Sequence, residues 1–109
     1  MPVKRDRYFR ARGGTAAILE IRCSNCQNRV LTYQKDGKGA LIRCYLNRIV
    51  TPPELEGLQH DPNVSEAGDM PNLTCPQCNL LIGTPMRHID GRLAFRLRRG
   101  AFAKNQIRS

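Results

Sequence analysis

Two Cys-x-x-Cys clips, Cys23-Ser24-Asn25-Cys26 and Cys75-Pro76-Gln77-Cys78, stand 48 residues apart in a chain of 109. The backbone inside such a clip curls so that both sulfurs reach one ion. Two clips supply four thiolates, the closed tetrahedral shell of structural Zn²⁺. Cys23, Cys26, Cys75 and Cys78 are therefore the expected metal ligands. An iron–sulfur cluster uses the same ligand set. A thioredoxin-like redox pair instead needs a βαβ setting and a helix N-terminus to lower the thiol pKa, and neither pattern surrounds these cysteines. Disulfides fit less well, because five cysteines cannot all pair. The first residues, Met1-Pro2-Val3-Lys4-Arg5-Asp6-Arg7, also lead into no apolar h-region, so a cytoplasmic, thiol-reducing setting is expected. No apolar run is long enough to span a bilayer. A single domain of this size buries only about two thirds of its unfolded surface, so a metal cross-link carries weight in its stability.

The flanking patterns read as strands. In Ala17 to Cys23, Leu19, Ile21 and Cys23 share one face while Glu20 and Arg22 share the other, the period of a half-buried strand. Val30 to Gln34 and Ala40 to Leu46 flank Lys35-Asp36-Gly37-Lys38-Gly39, a combination that predicts a hairpin with a basic tip. Within the return strand, Ile42, Cys44 and Leu46 face one way, which makes Cys44 a buried, inert thiol. After the second clip come Leu80-Leu81-Ile82, a turn at Asp90-Gly91 and a strand from Arg92 to Arg98. Shifting the chain by 52 residues superposes both clips, Gly39 on Gly91, Leu41 on Leu93 and Tyr45 on Leu97. The expected fold is all-β and zinc-ribbon or β-tent-like, with two knuckles each followed by a β-hairpin. Its expected organisation is a flexible basic arm over 1–15, a zinc-binding β domain over 16–102 and a C-terminal tail over 103–109. Residues 51–74 read as a long loop, with Leu55 and Leu58 anchoring one helical turn after Pro52-Pro53.

Charge is distributed unevenly. Between 51 and 74 the chain has Glu54, Glu56, Asp61, Glu66 and Asp69 but no Lys or Arg, so the remainder of a +9 chain carries +14. A field of that sign favours a polyanionic partner. In Arg92 to Arg98, Leu93, Phe95 and Leu97 alternate with Arg92, Ala94, Arg96 and Arg98, which sets successive outward sites about 6.8 Å apart. The candidate nucleic-acid contacts are Lys4, Arg5, Arg7, Arg10 and Arg12 of the arm, Lys35 and Lys38 of the tip, and Arg92, Arg96 and Arg98 of the strand. Tyr8 and Phe9 beside the arm's cations could stack on unpaired bases.

From Cys75 onward the string Cys-x-x-Cys-x4-Gly, continuing to Gly100-x-Phe102, resembles the C-terminal half of the Yippee-type proteins. These belong to the β-tent group, with the cereblon-type ligand-binding domain and the methionine-R-sulfoxide reductases. The matched positions are Cys75, Cys78, Gly83, Gly100 and Phe102, and the spacing between clips suits the group. The resemblance implies two antiparallel sheets leaning together with zinc pinned between their knuckles. It implies no aromatic cage, since the chain has no Trp and reads Gly83-Thr84-Pro85-Met86 where Yippee proteins place one after the glycine. Reductases in the group carry histidines where this chain has Leu81 and Thr84, and a later nucleophilic cysteine, whereas none follows Cys78 here.

A general enzyme reading finds no converging His, Asp or Glu, and the Lys35–Gly39 segment lacks the strand-to-helix setting of a phosphate loop. The sequence therefore points to a non-catalytic, zinc-stabilised binding module. Its expected partner is nucleic acid, RNA before DNA and ribosomal RNA included. The alternative is a β-tent-type adaptor with a protein partner.

Overall fold

A computed structural model describes residues 3–107 of the chain. Eight strands follow a short N-terminal helix, α1 (Arg7–Ala11): β1 (Ala16–Cys23), β2 (Arg29–Asp36), β3 (Arg43–Tyr45), β4 (Ile49–Thr51), β5 (Leu73–Thr74), β6 (Leu81–Arg87), β7 (Leu93–Leu97) and β8 (Phe102–Gln106). A second short helix, α2 (Pro53–Glu56), lies between β4 and β5. The strands form two antiparallel four-stranded sheets, ordered β4-β2-β1-β8 and β3-β7-β6-β5. Each half of the chain lends one strand to the other half's sheet: β3 joins the second and β8 the first. The fold is all-β, as the patterning predicts.

Period-2 alternation sets the core between the sheets. Leu19, Ile21 and Leu31 from the first sheet meet Leu73, Ile82, Phe95 and Leu97 from the second, all buried in one cluster. Central strand β2 is covered on both faces, and residues 30–34 are all buried. Tyr33 crosses the gap, its hydroxyl accepting a hydrogen bond from the Tyr45 backbone N–H at 3.0 Å. Gly83, one of the matched glycines, sits where β6 runs close to β7. A Cβ there would lie 2.8 Å from the Arg96 carbonyl oxygen, so only glycine fits without a backbone shift.

Three segments depart from the sequence reading. The expected hairpin over 30–46 does not form: β2 pairs with β1 and β4, whereas β3 crosses over to pair with β7. Alternation fixes which residues face inward but not which sheet a strand joins. The turn at Gly37 is instead a crossover packed under Arg12, whose carbonyl would lie 2.8 Å from any Cβ at that position. Residues 1–15, expected as a free arm, are docked where described, while Met1 and Pro2 fall outside the described residues. Gln34 accepts from the Lys4 backbone N–H at 2.8 Å and donates to the Lys4 carbonyl at 2.9 Å. Asp6 caps α1 through the Tyr8 and Phe9 N–H groups. Of the expected tail over 103–109, residues 103–106 continue β8 along β1, and Arg108 and Ser109 lie outside the described residues. That strand is mostly polar and exposed, so no apolar alternation marks it.

Arg48 ties the docked arm to the sheet. Its side chain is 1% exposed and sits between Asp36, at 2.7 Å, and Asp6, whose Oδ2 accepts from it at 3.0 Å. The segment over 51–74 holds the expected helical turn as α2, two 3₁₀ turns and strand β5. No helix among the described residues is long and apolar enough to cross a membrane.

Candidate metal centre and basic surfaces

Both clips form the tip of a hairpin, between β1 and β2 and between β5 and β6. Their backbones match bond for bond. Cys23 N–H donates to Asn28 O and Gln27 N–H to Cys23 O, while Cys75 N–H donates to Leu80 O and Asn79 N–H to Cys75 O, all at 2.9–3.0 Å. Gln27 and Asn79, one residue past each clip, both take positive φ, 67° and 65°. This turn aims the second sulfur of each clip back beside the first. Each knuckle is itself a hairpin tip; the second is followed by the expected β-hairpin, β6–β7, whereas after the first β2 pairs with β1 and β4 and no hairpin follows.

The four sulfurs lie within 4.8 Å of one another, with Cys23 and Cys78 at 3.6 Å and Cys26 and Cys75 at 3.4 Å. Tetrahedral thiolates at Zn–S bonds of about 2.3 Å stand about 3.8 Å apart, so the cluster has the size of one metal shell. Backbone N–H groups of Asn25 and Gln77 donate to Cys23 and Cys75 at 3.4 Å, again in equivalent places. The Asn28 side-chain amide draws the Cys26 thiol down to about 6, and the Asn25 side chain lowers Cys78. Burial pushes Cys75 up to about 11. Donors favour the thiolate and burial opposes it, and a cation at the centre removes that opposition. The donor set thus fits a metal ion. Cys44 stands apart: fully buried, with its thiol pushed far above the usual range by desolvation alone.

The basic residues fall into distinct settings. Arg5, Arg10 and Lys38 are exposed, as are Arg96 and Arg98. Lys4 donates to Asn47 O at 2.7 Å and Arg7 to the Tyr8 hydroxyl at 2.8 Å. Arg92 does not continue the outward arginine row. Its guanidinium lies between the Tyr8 and Tyr45 rings, 3.8 and 3.6 Å from their centroids, and bonds Asp90 at 2.9 Å. Arg12 donates to Lys38 O at 2.8 Å, and Lys35 to Gly37 O at 3.0 Å. The arm, the crossover loop and the start of β7 therefore meet on one surface. Sequence reasoning passed over Arg43, which stands opposite Arg96 in the β3–β7 pairing, and Arg48. Neither lies in a charge run: strand pairing sets Arg43 beside Arg96, and the docked N-terminal segment and the end of β2 bring Asp6 and Asp36 to Arg48.

Large apolar side chains described as exposed are Ile42, Ile89 and Ile107. None belongs to the Leu80–Met86 stretch, where an adaptor's apolar patch would be sought. Comparison with family models, with curated proteins and with solved structures finds no match.

Proposed function

We propose that this chain is a non-catalytic binding module, stabilised by one Zn²⁺ on Cys23, Cys26, Cys75 and Cys78, that engages RNA through its basic surface. Zinc is favoured because four thiolates closed in a shell of that size leave no open position, the habit of a structural rather than a catalytic site. The observation that carries the RNA reading is convergence. Arg12 bonds the loop bearing Lys38, Tyr8 of the arm stacks on Arg92, and Arg96 stands opposite Arg43 on the adjoining strands. Cations from three separate stretches thereby form one face, which a phosphate backbone can track without base readout. Two leaning sheets with a knuckle at the end of each are also what a β-tent relative would have.

The test titrates labelled structured RNA, a ribosomal fragment among them, and duplex DNA at two salt concentrations. If about five phosphates of a single strand are neutralised, log K falls against log salt with a slope near −3.5. Arg96→Gln with Arg98→Gln weakens binding and flattens the slope. Failure of both nucleic acids to bind at low salt, with metal retained, would leave the protein-adaptor reading in its place.

A further inference from the structure

At the far end of β2 from the knuckles, a cavity of about 160 Å³ opens where the crossover loop, β3 and the start of β7 meet. Its walls include Arg12, Lys35, Arg43 and Arg92 with Tyr33 and Tyr45. Four cations around one small cavity repel one another, and Asp36, the acid in the wall, offsets them only in part: it attracts Lys35 but shares its charge with Arg48, at 2.7 Å from Oδ2, while Oδ1 accepts from Gln34 at 2.9 Å. Asp90 answers Arg92 alone, at 2.9 Å.

Arg43 supplies a second, independent observation. Its Nε is buried and without a hydrogen-bond partner, the one such side-chain atom among the described residues. Native proteins rarely leave a buried donor unmatched, and the guanidinium that carries this one lines the cavity. The remaining donors are held ready. The Arg92 guanidinium is clamped between two tyrosine rings, and Lys35 uses one of its three N–H groups on Gly37 O. Burial, followed by the nearby Arg12 and Lys104 charges, lowers the Lys35 pKa, a cost that an anion at the site would reverse.

We infer that this cavity is an anion site that takes a phosphate group, held by Arg12, Lys35 and Arg43 with Arg92 as a fixed positive wall. Forked guanidinium donors match tetrahedral phosphate oxygens, and a compact cavity suits a terminal phosphomonoester better than a diester flanked by sugars on both sides. The group could arrive as inorganic phosphate, on a mononucleotide or at the end of an RNA strand. The site does not depend on the RNA reading, since a protein that bound no RNA would still fill it.

The experiment uses the full-length, metal-loaded protein at low ionic strength and follows ³¹P line broadening and melting temperature as phosphate is added. Inorganic phosphate is expected to bind and to raise the melting temperature. Arg43→Gln and Lys35→Gln should each weaken it by at least about tenfold, one arginine-to-phosphate bond being worth more than a neutral one. Arg99→Gln, on the exposed turn before β8, should leave it unchanged. Retained metal and an unshifted circular-dichroism spectrum establish that each variant is folded, and Lys35→Gln keeps the test decisive if Arg43→Gln is not. A mononucleotide and an oligoribonucleotide with and without a 5′-phosphate then separate the sources: preference for the phosphorylated strand over the mononucleotide assigns the site to RNA ends, the reverse to a small ligand. Absence of phosphate binding at millimolar concentration, or equal binding by wild type and both wall variants, overturns the proposal.

Discussion

The two ends of this molecule are closed by different chemistry. At one end four cysteines of like kind converge, two by two, from hairpin turns that repeat each other's hydrogen bonds and left-handed residues. At the other, Asp6, Asp36 and Arg48 meet around one buried guanidinium, from three stretches with no pattern in common. Both arrangements cross-link distant parts of a small core. The first can be assembled from local turns that each preform half a site, so its cost falls mainly on bringing two halves together. The second exists only once three tertiary elements are in place, so it reports on the fold rather than directing it. A buried charge group of that kind is also conditional: intact it contributes little beyond a hydrophobic substitute, but broken it leaves an uncompensated charge.

The largest effect is expected at the knuckles. Structural zinc on small thiolate sites is worth an apparent ~10–16 kcal/mol near neutral pH, comparable with a whole domain's stability. Cys75→Ser is thus expected to give a largely unfolded chain that retains no metal, read by circular dichroism and elemental analysis. Cys44→Ser should fold with its full metal content, and Cys44 in the native protein should react slowly with thiol reagents. Rapid labelling of Cys44 would contradict its burial.

Next in size is the opposite end. Arg48→Met strands Asp36 in a buried position and releases Asp6, and the expected cost is about 3–5 kcal/mol, the usual penalty for breaking a buried pair. Denaturant unfolding measures it, and metal stoichiometry should stay at wild-type level. Loss of metal in this variant would show that the two ends are not separable. A smaller effect is expected at the left-handed turn positions. Asn79→Val forces a β-branched side chain to positive φ and should cost about 1–2 kcal/mol, whereas Asn79→Gly should be neutral or slightly stabilising. Gln27 should give the same pair of results if the knuckles are equivalent in energy as well as in geometry.

The smallest effect isolates one charge. Asparagine caps a helix about as well as aspartate, so Asp6→Asn keeps α1 and removes only the ion pair with Arg48. With its side chain 41% exposed, Asp6 is screened by solvent, and about 1 kcal/mol or less is at stake. The hydrogen bond from Arg48 holds the Asp6 carboxyl well below its usual value of 3.8. A depressed folded pKa means that the contribution is complete above that value and is lost as pH falls through the folded one. Melting temperatures of wild type and Asp6→Asn should therefore differ by a constant amount from neutral pH down to about 4 and converge below it. A gap that widens on acidification would refute the assignment.

The features legible in the residues alone are local. Cys-x-x-Cys spacing brings two sulfurs together within four residues, strand alternation turns Leu19 and Ile21 of β1 and Phe95 and Leu97 of β7 inward, and Asp90-Gly91 closes the β6–β7 hairpin, because each signal and its structural consequence lie within a few bonds of each other. Tertiary structure decided the rest. It sent β3 into the second sheet, laid polar β8 along β1, and docked the arm on Arg48. It also turned Arg92 from one of a row into the filling between two tyrosines. These outcomes depend on which distant group is available to satisfy a backbone edge or a buried charge, and a pattern of period two or a run of like charges carries no information about a partner thirty or forty residues away.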